Sequence, residues 1–297
     1  PTEKVAPYVD DPFRKRLELG QLPSDGWDRY KSGRIEKGNV HTAEQLREGL
    51  CEGYGVDHPV VNPSMPWLPR LAEPEYAAAL ARGYNDYFLD NVVDEDDDFY
   101  GIAQIPTQRV EDAVAEIDRI GDEPGIVGLY VIPMGTPEPM GNPRYDPIWQ
   151  AAEDHDLTIA FHPHGTISAM DFPKHNYGFN RYISVHTLGF VWGNMQMVVS
   201  LIEQGVPVKF PDLTFTFLEG DTSWVPGLMF RLNKEYAARR DELPLLEKNP
   251  EDYVREFFFA SQPLGEPNDG RDMQHLLSAL DAPNMLMFSS DYPHWDF

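Results

Sequence analysis

A single cysteine, Cys51, stands among 297 residues, so no internal disulfide is possible and a buried core must hold the fold. A reducing, cytoplasmic compartment is the expectation that follows. Positive charge is scarce as well: 24 Lys and Arg, eight of them Lys, face 49 Asp and Glu, for a formal net charge of −25. That balance argues against nucleic acid or an anionic membrane as partner, since both need positive potential. A salt-adapted cytoplasm would account for it, because salt screens the self-repulsion of an acidic surface; an acidic mesophilic protein is the alternative. No run of about 18 apolar residues occurs, so nothing is expected to span a membrane. No charged-then-apolar leader opens the segment either. There is no P-loop, no glycine pattern of a dinucleotide site and no CxxC, so nucleotide cofactors and iron–sulfur clusters are not suggested.

What is present is an alternation of strands and helices. Strand-like runs recur at residues 58–63, 99–106, 126–133, 157–162, 213–219, 257–261 and 285–290. Between them, Val110, Ala113, Val114, Ile117 and Ile120 follow the spacing of an amphipathic helix. Val225, Leu228, Met229, Leu232 and Tyr236 form a second stripe, Met273, Leu276, Leu277 and Leu280 a third, and Tyr76, Leu80, Tyr84 and Phe88 another. Such alternation predicts a parallel sheet in one α/β domain over 1–297. A closed (β/α)8 TIM-like barrel has eight strands, and the pattern supplies seven, so the expected fold is such a barrel lacking strand one and the last helix. An open doubly wound sheet is the alternative. Residues 185–202 are apolar around most of a helical circumference, which predicts deep burial or a homodimer interface through Trp192, Met195 and Val199.

Three of the strands end in residues that bind metals or move protons. Thr158-Ile159-Ala160-Phe161 runs into His162-Pro163-His164, Phe215-Thr216-Phe217-Leu218 into Glu219-Gly220-Asp221, and Met285-Leu286-Met287-Phe288 into Ser289-Ser290-Asp291-Tyr292-Pro293-His294. Reactive residues at the C-terminal ends of successive strands are how a barrel assembles an active site. His162, nearer its strand, is the better metal ligand; His164 has a wall or a substrate to meet. A carboxylate such as Asp291 beyond an apolar strand is costly unless paired or metal-bound, and there it could ligate and act as a base. Glu219 suits a ligand or a general acid/base, whereas Asp221 suits a cap for the helix that follows. His294 is a weaker candidate, as a donor behind the ligands or a substrate contact. In the long aromatic segment 166–184, Arg181 can grip a substrate carboxylate with its planar fork, and His186 beyond it can line a pocket. His155 ends a helix, where a cationic ring suits the dipole. His41 and His275 read as surface residues, and His58 faces no obvious partner.

With these residues placed, the chain resembles the amidohydrolase-2 family of metal-dependent barrels, which contains aminocarboxymuconate semialdehyde and resorcylate decarboxylases. The resemblance rests on Thr158–Pro163, on Phe217-Leu218-Glu219-Gly220 followed by Trp224-Val225-Pro226 and Arg231-Leu232, and on Ser290-Asp291-Tyr292-Pro293-His294. Pro7–Arg14 is similar to the segment that follows the family's first strand. It implies that His162 is the strand-five ligand and Asp291 the strand-eight ligand of one or two Zn²⁺ or Mn²⁺ ions. The family's further pair, acid-x-His or His-x-His on strand one, does not stand ahead of the first strand here. The decarboxylases place a histidine at strand six where this chain has Glu219, a carboxylate that could bridge a second metal. The expected function is therefore a metal-dependent hydrolase or decarboxylase acting on a small carboxylated, aromatic or cyclic molecule. A dinuclear metal oxygenase is an alternative. So is a non-catalytic barrel subunit in a hetero-oligomer with an active paralogue.

Overall fold

The computed structural model describes residues 2–21, 42–63, 65, 68–133, 135–163 and 181–294. Its frame is seven parallel strands hydrogen-bonded in chain order: β1 (Val60–Val61), β2 (Tyr100–Gln104), β3 (Ile126–Val131), β4 (Thr158–Phe161), β5 (Phe215–Phe217), β6 (Phe258–Ala260) and β7 (Leu286–Met287). Six longer helices connect them: α1 (Pro74–Phe88), α2 (Val110–Ile120), α3 (Asp146–Asp154), α4 (Tyr182–Glu203), α5 (Val225–Arg239) and α6 (Gly270–Leu280). Sequential order in a parallel sheet curls it about one axis, and the result is a part-barrel of the (β/α)8 type. Among the described residues β1 and β7 form no ladder with each other, which is where the sequence reading placed the gap.

Strand residues alternate between two cores, as the period of two requires. On the outward side Leu129, Ile159, Phe161, Phe215, Phe217 and Phe259 pack beneath the helices. On the axis side Ile102, Tyr130, Ile132, Ala160, Leu218 and Ala260 fill the interior. The helices follow from the same chemistry. In α2, Ala113, Ile117 and Ile120 are buried on one stripe, Glu111 and Asp112 stand in the first turn and Arg119 in the last, matching the dipole. For α6, Asp269 accepts a bond from the Arg271 amide at the start, and Asp281 at φ 61° ends it.

α4 answers the expectation for residues 185–202 in halves. Met197, Val198, Leu201 and Ile202 are fully buried in the main core and Val185 is buried at the other end of the helix, while Leu188, Val191, Met195 and Val199 are half-buried along the opposite stripe. The span Ile183–Glu203 is long and apolar enough to cross a bilayer, where the sequence reading expected no such segment, but 56% of its most apolar window is buried within the fold. Its length serves the barrel wall. Residues 43–54 form short helical turns opened by a Thr42 cap. Against them lies Tyr292 from beyond β7, its ring where a Cβ on Gly49 would come within 2.3 Å, so this segment reaches across to the last strand's exit.

Candidate active site

β4 delivers His162 to the axis side, because it is two residues beyond the inward Ala160. Its Nδ1 lies 3.0 Å from the Pro163 carbonyl, which accepts when that nitrogen carries the proton. Nε2 stands 2.7 Å from Glu219 Oε2, and both side chains are nearly buried, at 13% and 12% exposure. Burial works against a charge on the ring, but Glu219, by charge and hydrogen bond, and then Asp291 outweigh it, so the His162 pKa is raised above 6.5. Beneath the pair lies Tyr130 of β3, its ring centroid 5.3 Å from that of His162. Burial first, then the charges of Glu219, Tyr84 and Asp291, push its phenol well above the usual value.

At the exit of β7, Asp291 Oδ2 is 2.9 Å from His294 Nδ1, and the His294 amide donates to the Asp291 carbonyl across the same turn. Ligand atoms of Glu219, Asp291 and His294 all lie within 4.8 Å of one another. Carboxylate oxygens and imidazole nitrogens at that spacing fit a divalent ion such as Zn²⁺ or Mn²⁺. The backbone supports the same focus. Among the described residues five other than glycine have positive φ, and four of them are Asp, which tolerates the left-handed region. The fifth is Glu219 at φ 46°, a conformation that costs a long side chain about 1–3 kcal/mol and persists only where its surroundings impose it. Asp291, at φ 54°, shares that geometry.

The other expected residues separate. Asp221 is occupied: its carboxylate accepts from the amides of Thr222, Ser223 and Gly265 and from the Ser223 hydroxyl, tying the β5 exit to the loop after β6. His186 packs edge-on to Phe190 at 5.5 Å, and Phe190 in turn meets the His162 ring at 6.3 Å. Arg181 is exposed at the N-cap of α4. His164 and His41 lie outside the described residues. His58 has a neighbour after all, 3.7 Å from Asp98. A cavity of about 410 Å³ opens on the same rim, lined by Arg70, Leu71, Thr107, Gln108 and Gly135 from the loops after β1, β2 and β3, apart from the acids and histidines. Sequence reading passed over Tyr130, Phe190 and Asn194. Tyr130 was accessible through strand alternation, and Asn194 as a lone amide inside an apolar helix.

Residues 54–297 match the family model described as Amidohydrolase. The gamma-resorcylate decarboxylase of Rhodococcus jostii (strain RHA1) is 25% identical over 158 residues, 50% of this chain and 46% of that protein. The 2-amino-3-carboxymuconate-6-semialdehyde decarboxylase of Dictyostelium discoideum is 23% identical over 223 residues, 75% of this chain and 58% of that one. The chain thus spans about half the length of the curated relatives it matches. Among solved structures, the dihydroxybenzoic acid decarboxylase from Polaromonas sp. JS666, with bound manganese and 2-nitroresorcinol, superposes with a TM-score of 0.67 at 20% identity, covering 95% of this chain and 83% of that one. At that identity the likeness speaks for the fold.

Proposed function

The chain belongs to the amidohydrolase family, and from that premise we propose that it forms the active-site barrel of a metal-dependent decarboxylase acting on a small aromatic carboxylate. The observation that carries the reading is the convergence of Glu219, Asp291 and His294 within 4.8 Å, with His162 Nε2 in contact with Glu219, at the exits of three parallel strands. Glu219, Asp291, His294 and His162 would hold the divalent ion, Mn²⁺ in preference to Zn²⁺ because the Polaromonas relative carries manganese. When bound, the ion supplies Lewis acidity toward the oxygens of the substrate. Asp291 holds the proton that is delivered to the ring carbon bearing the carboxylate. The carbon–carbon bond then breaks, its electron pair returns to the ring and CO2 leaves. Glu219, paired with His162, is the second acid/base group and keeps that ring oriented. Phe190 and Tyr130 exclude water around the pair. Arg181, His164 and His186 are the proposed substrate contacts at the mouth.

The test is CO2 release by the full-length protein loaded with Mn²⁺ and given 2,6-dihydroxybenzoate and related hydroxybenzoates. Activity should appear with metal, and Asp291→Asn should lower it by about 10²–10⁴-fold, the usual weight of a positioned acid/base group, with an unchanged circular dichroism spectrum. A Mn²⁺-bound protein that releases no CO2 from any of them would overturn the reading. A homodimer through the outward stripe of α4 and a salt-adapted cytoplasm complete the proposal. Trp192, at 37% exposure, with the half-buried Met195 and Val199 gives that stripe its apolar character, and a second copy is the commonest cover for such a face. Light scattering in high salt decides the first, since a monomer there removes the dimer; denaturant unfolding decides the second, since equal stability in low and high salt removes the adaptation.

A further inference from the structure

The buried side of α4 is apolar except at Asn194 and Ser200. Ser200 has an evident task, since its hydroxyl accepts from the Gly141 amide at 2.9 Å. Asn194 is stranger: it is 1% exposed, and its Oδ1 has no partner among the described residues. Burying an amide with half its capacity unused is unfavourable, and an aliphatic residue of the same volume would serve a core better. Its other half explains its presence. Nδ2 donates to the Leu218 carbonyl at 3.2 Å. Leu218 follows the last residue of β5, and its carbonyl leaves the ladder as the chain turns into the left-handed conformation of Glu219. The same amide fills the space beside Gly220, where a Cβ would come within 1.9 Å of Nδ2. Trp224 Nε1 holds the far side of the turn by donating to the Gly220 carbonyl at 2.7 Å. Asn194 therefore touches the residue before Glu219 and the residue after it, and among the described residues its one hydrogen bond goes to the backbone, not to the acid's own side chain.

We propose that Asn194 is a positioning residue that locks the strained turn at Glu219 and so aims its carboxylate at His162 and at the Asp291–His294 pair. Glycine at 220 is then required by the amide, and α4 reaches the site through Asn194 as well as through Phe190. The consequence for metal affinity rests on the function proposed above; the consequence for geometry does not.

Asn194→Leu tests this, because it keeps the volume and removes both hydrogen-bonding groups. In the full-length protein, its crystal structure should show residue 219 leaving positive φ and the contact between His162 and Glu219 lost. Calorimetric titration with Mn²⁺ should show affinity weakened by about 10–100-fold, as for groups that orient ligands. If that variant fails to fold, Gly220→Ala asks the same question by pushing a methyl group into the amide, and the same two losses are expected. A folded variant that keeps the His162–Glu219 contact and binds Mn²⁺ within twofold of the parent overturns the proposal. Failure of both variants to fold also overturns it, by assigning Asn194 to the fold alone. A parent protein that takes up no Mn²⁺ sinks the metal reading instead, and the two crystal structures still decide the role of Asn194.

Discussion

His162 and Glu219 leave the middle of the sheet, whereas Asp291 and His294 leave its edge. β5 is hydrogen-bonded to a neighbour on each side, and the rings of Phe161, Phe215, Phe217, Phe257 and Phe259 stack or meet edge-on around it. β7 is two residues long, pairs among the described residues only with β6, and is followed by Phe288 at 69% exposure. Exposure sets apart only the last residue: Glu219 and Asp291 are nearly buried, at 12% and 17%, while His294 is 46% exposed. One half of the site is therefore imposed by tertiary structure. The other rests on a local turn, in which Asp291 holds both the amide and the ring of His294. In the proposed reaction the local turn carries the proton donor, Asp291, and the clamped turn carries Glu219, the ligand that must stay fixed.

The largest expected effect breaks this comparison at its strong end. Phe217→Ala removes a ring packed against Phe161, Phe257 and Phe259, and should cost about 3–5 kcal/mol in denaturant unfolding. Met287→Ala in half-buried β7 should cost only about 1 kcal/mol, an ordinary substitution value. Equal losses at the two positions would mean that the edge is as well built as the centre.

The same contrast governs what could be read from the sequence. All seven strands were visible, because each is an apolar run stopped by proline, glycine or a charged residue. All are shorter than their apolar runs: β2, β3 and β4 keep four to six residues and β5 and β6 three each, while 58–63 and 285–290 shrink furthest, to two residues each. An edge strand has one partner to set its extent, and Met285 instead closes a short helical turn. His162, Glu219 and Asp291 were legible as polar residues directly beyond apolar strands. The place of His294 beside Asp291 was not, since it depends on positive φ at an aspartate, which no periodicity encodes. Asn194 acts through a residue 24 positions away in the chain, and a lone amide in an apolar helix signals only that something is there.

Next in size come the site's own variants, read by Mn²⁺ titration of the full-length protein. Glu219→Gln keeps the shape of the clamped half, removes its charge and should weaken Mn²⁺ binding about 100-fold. His294→Gln, on the exposed half, should weaken it about 10-fold, the two ends of the range for disturbed metal-site groups. The reverse ranking would show that the edge turn, and not the clamped turn, dominates the site.

The smallest effect belongs to a histidine–carboxylate pair with neither kind of support. His155 caps the end of α3 on the outside of the barrel, its Nδ1 2.9 Å from Asp122 and its Nε2 3.5 Å from Asp118. The hydrogen bond it donates to the Asp122 carboxylate raises its pKa above 6.5, burial opposes this, and Asp118 adds to the rise. A folded-state value above the unfolded one gives stabilisation that is complete below about pH 6.5 and disappears as pH climbs through the raised value. Asp122 is 90% exposed, so water and salt screen the pair, and its worth should be about 0.2–1 kcal/mol. His155→Gln should therefore cost stability at pH 6 and nothing at pH 9, with the difference shrinking in high salt. A loss that is the same at both pH values would show that the ring is held by its contacts at the helix end and that its charge is idle.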